Sequence, residues 1–161
     1  MNELLVANAQ GFVASANQKP YHLTSSITYS SAPSTSTTFQ DSIVVPTDSD
    51  FICCAIKVMF RMTATTPGGV AYITNDSADP CVLTQIRDSG SQGQGLFDRP
   101  IDAVALQGVN EDLYRLFRPM LYRAGNTISI EGSFVRAPAY AGILTHVLYG
   151  YRDYTKPSTK R

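Results

Sequence analysis

Hydrophobic and polar residues alternate along this chain over short stretches, separated by clusters of glycine, proline, asparagine and aspartate. A period of two is typical of β-strands, because successive side chains point to opposite faces. The clearest strands are predicted at 127–136 (TISIEGSFVR) and 143–154 (ILTHVLYGYRDY). Turn residues separate the predicted strands, without paired acids, metal-ligand clusters or phosphate-binding loops. The pattern favours a building block or binding module over a catalyst.

The segment 51–62 is predicted to be the central strand, because most of its residues are apolar. Its other face begins apolar at Phe51 and ends charged at Arg61. A strand that is buried on one side and half-buried on the other gives this pattern. The continuous apolar face is predicted to carry Ile52, Cys54, Ile56, Val58, Phe60 and Met62.

Further strands are predicted where apolar residues lie between turns. The segment 110–117 has two interpretations, a two-turn helix capped by Asn110 or an extended segment that runs into Pro119. Seven or eight short strands at this spacing predict an all-β fold, an antiparallel β-sandwich of jelly-roll type. The other predicted strands are 21–31, 42–45, 70–74, 82–86 and 101–106.

The chain is predicted to have one domain with an extension at each end. Residues 1–19 form an N-terminal arm, 20–155 the β-sandwich domain, and 156–161 a flexible basic tail. Within the arm, Leu4 to Ala9 fit two turns of helix that end at Gly11, and such a helix is too short to be stable alone. The arm is either a frayed tail or a segment that becomes ordered on a neighbouring subunit.

Composition and charge narrow the function classes. The chain has 161 residues, 43% of them hydrophobic, which fits one domain with a substantial core. Thirteen basic residues balance thirteen acidic ones, so no overall field attracts nucleic acid or a membrane. The N-terminus lacks the basic start of a signal peptide, and no apolar run has the length of a membrane span. A soluble protein made in the cytoplasm is expected.

The candidate chemical groups have structural interpretations. Cys53 and Cys54 are adjacent in a strand and point to opposite faces, so neither a mutual disulfide nor a shared metal is expected. Buried free thiols are predicted, with Cys81 as the plausible exposed thiol. The two histidines, His22 and His146, show no triad pattern with a nucleophile and an acid. No catalytic residue, metal or cofactor is therefore expected.

Arginine and aromatic residues are concentrated in the segment 114–123. Both residue classes are enriched at protein interfaces, and their combination also suits single-stranded nucleic acid. Because the net charge is zero, a protein interface is favoured over a solvated surface, and nucleic acid is not expected as a partner. The predicted contact residues are Leu4, Leu5 and Phe12 in the arm and Tyr114, Arg115, Phe117, Arg118 and Tyr122 in this segment.

A series of motifs covers roughly the last two-thirds of the chain. It runs through TDSDFICCAIKVMF, IRDSG, LYRLFRPMLYRAGNTISIEGSF and YGYRDY. The series resembles small β-sandwich structural proteins of tailed-bacteriophage virions, in which an Asp-rich loop, a proline-flanked apolar segment, an Asn-x-Ile-x-Ile strand and a closing Gly-aromatic-Arg strand follow one another. The matching positions are Asn126, Ile128, Ile130, Gly150 and Arg152.

This resemblance implies a virion protein without enzymatic activity, made in the host cytoplasm. Its expected partners are further copies of itself and major capsid or head-to-tail connector proteins. A capsid decoration (cement) protein is the first expectation, and a collar or neck component is the alternative. A glycan-binding module of the fibre type is a further alternative, because jelly rolls often bind glycans, although the chain lacks tryptophan. A small β-sandwich hydrolase would need a catalytic constellation that the sequence does not show.

Overall fold

The computed structural model describes ten β-strands, and all of their pairings are antiparallel. The described residues are 6–7, 13–14, 17–30, 38–62, 82–91, 95–106, 113–135 and 141–154. Two 3-10 turns occupy Ser89–Ser91 and Ala103–Leu106. The strands are β1 (Val6–Ala7), β2 (Val13–Ala14), β3 (Gln18–Tyr29), β4 (Thr38–Val44), β5 (Asp50–Met62), β6 (Val82–Asp88), β7 (Ile101–Asp102), β8 (Tyr114–Tyr122), β9 (Thr127–Phe134) and β10 (Gly142–Asp153).

Strands β3 to β10 form two four-stranded sheets, with the orders β3-β10-β5-β8 and β4-β9-β6-β7. Apart from β6 and β7, consecutive strands alternate between the sheets, which is the arrangement of a jelly roll. The predicted all-β antiparallel sandwich is therefore confirmed. Strands β1 and β2 form a separate pair, with Val6 opposite Ala14. Val6 and Ala7 are thus strand residues, and the helix predicted from Leu4 is wrong at these two positions.

The core lies between the facing sides of the two sheets. Leu144 and Leu148 of β10 and Ile128 and Ile130 of β9 point into it and are fully buried. Burial of each such side chain contributes about 1.5–3 kcal/mol to the free energy of folding, before the entropy of ordering the chain is counted. In β9 the alternation of Ile128 and Ile130 with polar residues thus identifies the inward face.

Strand β5 departs from the sequence prediction at Cys54. On β10, Tyr149 pairs with Ala55 and Gly150 pairs with Cys53, so Cys54 has no paired residue in that ladder. One extra residue opposite a regular strand is a β-bulge, and it reverses the alternation of inward and outward side chains beyond it.

The bulge divides β5 into two segments of opposite phase. Phe51 and Cys53 face the core before it, and the core-facing residues after it are Ile56, Val58 and Phe60. Ile52 and Cys54 instead pack with Tyr151 in a second, smaller cluster. The prediction of one continuous apolar face from Ile52 to Met62 is therefore wrong, because the strand changes phase in its middle.

Two other segments bear on the sequence predictions. One strand ends earlier than predicted, and the other segment settles a choice between helix and strand. The strand predicted at 101–106 ends at Asp102, whose carboxylate accepts a hydrogen bond from the Val104 N–H at 3.0 Å and starts a 3-10 turn. The extended alternative holds for Tyr114 onward, because β8 pairs with β5. The strand predicted at 70–74 lies outside the described residues.

Arg152 connects the end of β10 to the turn before β5. Its Nε donates a hydrogen bond to Ser49 Oγ at 2.8 Å, and its Nη2 forms an ion pair with Asp48. The guanidinium also lies 5.0 Å from the ring centre of Tyr21 and 5.2 Å from that of Tyr154. The planar guanidinium stacks on aromatic rings and forms several hydrogen bonds at the same time, and a lysine ammonium does not reproduce this geometry.

We expect Arg152→Lys to lower the free energy of unfolding by about 1–2 kcal/mol, because it keeps the charge but loses the stacked, forked hydrogen bonding. Urea titration followed by circular dichroism measures the change. Arg99→Lys is the matched control at an exposed position and should change stability by less than about 0.5 kcal/mol. Equal effects of the two variants would contradict a special role for Arg152.

Candidate protein interface

Strand β8 is an edge strand of the first sheet. Its ladder with β5 runs from Tyr122, opposite Phe51, to Met120, opposite Cys53, and resumes only at Arg115, opposite Ala55. The four residues 116–119 therefore lie opposite the single residue Cys54. We call residues 116–119 the β8 bulge. Such an irregularity pushes the edge backbone out of the plane of the ladder.

The side chain of Phe117 is 99% exposed within the β8 bulge. Among the large hydrophobic side chains that the structure describes as exposed, the next is Val44 at 61%. A phenylalanine offers one of the largest apolar areas of any side chain, so full exposure forgoes a large hydrophobic gain. Leu116 packs against the core and anchors the base of the bulge. An exposed aromatic on an anchored base is suited to binding a partner.

The surroundings of Phe117 are basic. Arg115 and Arg118 are exposed on either side of it, and β8 contains no acidic residue. Arginine next to an exposed aromatic is the composition of binding hot spots. The partner surface that would complement this edge is apolar at its centre and carries negative charge at its rim.

The same edge is poorly suited to pairing with another strand. Pro119 has no N–H to donate, and the bulge interrupts the regular spacing of backbone groups. Charged side chains on the edge act in the same direction. A partner is therefore contacted through side chains rather than through an extended sheet.

The structure brings together part of the predicted contact residues. Arg115, Phe117 and Arg118 lie together at the β8 bulge, and Tyr114 is half-buried with its ring 6.2 Å from that of Phe97. Tyr122 is 0% exposed and stacks on Phe51 in the core, so its placement on a contact surface is wrong. The arm residues predicted with them, Leu4, Leu5 and Phe12, lie outside the described residues.

The physical reason for the burial of Tyr122 is the alternation along β8. Tyr114, Leu116 and Met120 pack against the core, and Tyr122 continues the same even-numbered series. Burial raises the pKa of the Tyr122 hydroxyl. Sequence reasoning also missed Leu121, which points away from the core and is 43% exposed. Alternation counted from Tyr114 predicts Tyr122 inward and Leu121 outward, but it also places Arg118 inward, which the β8 bulge leaves exposed.

A cleft of about 500 Å³ lies on the outer face of the second sheet. Its outward-facing polar groups come from β4, β6 and β9, and Leu83 and Pro100 supply apolar walls. Among the described lining residues the charged one is Glu131, and its carboxylate is 3.5 Å from Arg87 Nε. We call it the β4–β9 cleft. The lining residues are Thr38, Phe39, Gln40, Leu83, Gln85, Pro100, Glu131, Gly132 and Ser133.

Comparison of the chain with protein-family models, with curated proteins and with solved structures gave no match. The function therefore has to be inferred from the two surfaces and from the interior. Within the described ranges, no helix has the length and apolar character needed to cross a membrane.

A polar cluster of described residues lies in the interior, where the two sheets face each other. His146 Nε2 lies 3.1 Å from Thr84 Oγ1, and both side chains are fully buried. Beside them, Ser25 donates a hydrogen bond to the Asp41 carboxylate. Burial lowers the pKa of His146 to about 4, and the charge of Asp41 opposes this shift.

The hydrogen bonds of this cluster form two pairs, Ser25 with Asp41 and His146 with Thr84. The Thr84 hydroxyl and the imidazole are as close as a nucleophile and its base, but both side chains are fully buried. His146 Nδ1 is buried without a hydrogen-bond partner in the part of the chain that the structure describes. The arrangement holds the neutral imidazole of His146 between the two sheets.

The two described cysteines are separated as the sequence predicted. Cys53 lies in the main core and Cys54 in the second cluster, and both are free. Burial raises the pKa of each thiol, which makes the reactive thiolate scarce. Cys81 lies outside the described residues. Among the residues that are described, no three side chains of the histidine, cysteine, aspartate and glutamate types are grouped closely enough to hold a metal ion.

Proposed function

We propose that this protein is a non-enzymatic structural subunit of a tailed-bacteriophage virion, a capsid decoration protein that associates with itself and with capsid subunits. The observation that carries the proposal is the fully exposed Phe117 between two arginines on an edge that resists strand pairing. The jelly-roll architecture supports it, because viral capsid domains use this fold. Lectins also have this fold, so the proposal is supported by the exposed surface around Phe117 and not by the fold alone.

The energetics of such a contact suit a repeated assembly. Burial of one phenylalanine against a partner contributes about 1.5–3 kcal/mol, which is weak for an isolated pair. Many identical subunits on a regular lattice make the same contact together, and their avidity then exceeds the single affinity by orders of magnitude. A rigid sandwich that presents one exposed anchor is adequate for this role.

A collar or neck position would use the same edge and would differ in copy number. Quantitative mass spectrometry of purified particles of the phage that encodes the chain distinguishes the two positions. A copy number that scales with the capsid subunits supports decoration, and one that matches a single ring supports the neck. Absence from the particles would refute the virion assignment altogether.

The glycan-binding alternative has less support from the described surface. Sugar sites commonly stack a ring on an exposed aromatic, and the aromatic residue of the cleft lining is Phe39. Its ring lies 5.8 Å from that of Phe134, in contact with the core. Among the described lining residues, polar groups stand beside the apolar Leu83 and Pro100, and no aromatic ring faces outward to stack on a sugar.

We expect Phe117→Ser to reduce self-association by at least tenfold, because the apolar anchor is lost, about 1.4 kcal/mol per tenfold. Light scattering after size-exclusion chromatography, over a series of protein concentrations, measures the effect. Val44→Ser is the matched control, since Val44 is an exposed aliphatic residue on the edge strand of the other sheet. A wild-type chain that stays monomeric at all concentrations would argue against self-association.

A further inference from the structure

Two surfaces of this one chain are of opposite kinds. The β8 bulge presents the 99% exposed Phe117, and the β4–β9 cleft is an open recess of about 500 Å³. We propose that the β8 bulge of one copy inserts Phe117 into the β4–β9 cleft of a second copy. This inference rests on the proposed self-association and specifies the surfaces that carry it.

The cleft has the dimensions and walls for an aromatic group. Its volume lies in the range of pockets that enclose organic ligands. Leu83 projects outward from β6, and Pro100 stands on the segment that leads into β7. Their apolar surfaces would contact the two faces of the inserted ring. Hot-spot aromatics bind in pockets of this kind, with a polar rim around them.

The charges of the two surfaces are opposite. The bulge side carries the exposed Arg115 and Arg118, whereas the charged residue among the described lining of the cleft is Glu131. Asp102 adds a carboxylate at the rim, directly opposite Leu83 across the β6–β7 ladder. Arg87 already pairs with Glu131, but both side chains are about 40% exposed, so an incoming arginine can share that carboxylate. Complementary rims of this kind fix the register of a contact.

The placement of the two surfaces determines the type of assembly. The bulge is on an edge of the first sheet, and the cleft is on the outer face of the second sheet, which points away from the first. A chain therefore does not fill its own cleft. Because two different patches meet, the contact allows two kinds of assembly. Head-to-tail contacts close into a ring or continue as a filament, and a reciprocal exchange, in which each copy fills the other's cleft, gives a two-fold dimer.

A complementation experiment tests the pairing directly. Phe117→Ser destroys the bulge and leaves the cleft, and Leu83→Glu destroys the cleft and leaves the bulge. We expect each variant alone to be monomeric, with the apparent dissociation constant raised at least tenfold. An equimolar mixture should form one-to-one heterodimers that do not grow, since only one productive contact is possible. Analytical ultracentrifugation of each variant and of the mixture measures this.

Further variants guard against a folding defect. Gln40→Arg changes an exposed side chain of the lining and should block the cleft as Leu83→Glu does. Charge reversal supplies the positive control. Arg118→Glu and Glu131→Arg should each weaken association, and an equimolar mixture should restore it with the two variants alternating, because every contact between unlike copies then pairs opposite charges. Circular dichroism and urea midpoints verify that every variant is folded.

The outcomes separate the inference from the proposed function. If Phe117→Ser dissolves the oligomer while Leu83→Glu and Gln40→Arg leave it intact, the bulge binds another surface. The inference is then wrong, and the assembly role stands. If the mixture of the two monomeric variants stays monomeric, the inference is also wrong. If no variant alters a wild-type oligomer, both the inference and the proposed contact edge are refuted.

Discussion

Gly150→Ala is expected to lower the free energy of unfolding by about 3 kcal/mol or more, the upper end of what overpacking costs. A Cβ at this position would overlap the backbone carbonyl oxygen of Ile52 and approach Cys53 Cα at 3.0 Å. The position lies where the ladder between β5 and β10 changes register. A rigid backbone cannot move aside as a flexible side chain does, so the two central strands must separate locally.

The control for this variant is the same chemical change at a glycine with room around it. Gly125 has a φ of +79°, and a Cβ there would find Thr47 Cγ2 at 3.8 Å. Gly125→Ala therefore has conformational strain without a clash and should cost about 1–2 kcal/mol. Urea unfolding of both variants gives the comparison. If Gly150→Ala lowers the free energy of unfolding by no more than Gly125→Ala does, the two central strands approach each other less closely than described.

The second large effect is a dependence of stability on pH through His146. Its pKa is about 4 in the folded protein and near 6.5 in the unfolded chain, because burial between the sheets disfavours the charged imidazole. Between these values the unfolded state binds the extra proton, so the free energy of unfolding falls as pH decreases from 6.5 to 4. The contribution is fully present above pH 6.5, and its loss is complete below pH 4. The free energy of unfolding that is lost through His146 between these two pH values is about 3 kcal/mol in total.

His146→Gln removes the titration and keeps a hydrogen-bonding group next to Thr84. We expect the stability of the wild type, measured by urea unfolding between pH 7 and pH 4, to fall by about 3 kcal/mol more than that of His146→Gln. Groups that titrate independently of His146 contribute equally to both proteins and cancel in this difference. His22 lies exposed on β3, so His22→Gln is the control and should follow the wild type. Parallel curves for the wild type and His146→Gln would contradict the neutral buried imidazole.

The sequence predicted the fold well where a strand has one buried and one exposed face. Ile128 and Ile130 alternate with polar residues, and the strand that contains them was predicted with the correct inward face. Between Phe51 and Cys54 both faces of the strand are apolar, so the sequence pattern does not show which face points toward the core. The bulge at Cys54 was therefore not predictable from the pattern. It depends on the ladder with β10, which is distant in sequence.

The candidate site shows the same division between local and non-local information. The composition around Phe117 identified the contact segment, but whether it was helix or strand depended on pairing with β5. The prediction that Tyr122 lies on the contact surface was wrong, because it relied on the residue type and not on the position of Tyr122 in the alternation along β8. The β4–β9 cleft was not predictable, since Gln40, Gln85 and Glu131 come together only when three separate strands align.

The separation of bulge and cleft onto different sheets gives the core a geometric role. Under head-to-tail contact, the rotation from one copy to the next includes the angle between the two sheets. That angle depends on packing between the sheets, as between Tyr29 and Phe134, whose ring centres lie 5.4 Å apart. A core substitution that lets one sheet slide over the other would tilt every successive copy by the same small amount. Repeated around an assembly, that tilt changes the number of copies that close a ring, although the substituted side chain never touches a neighbour.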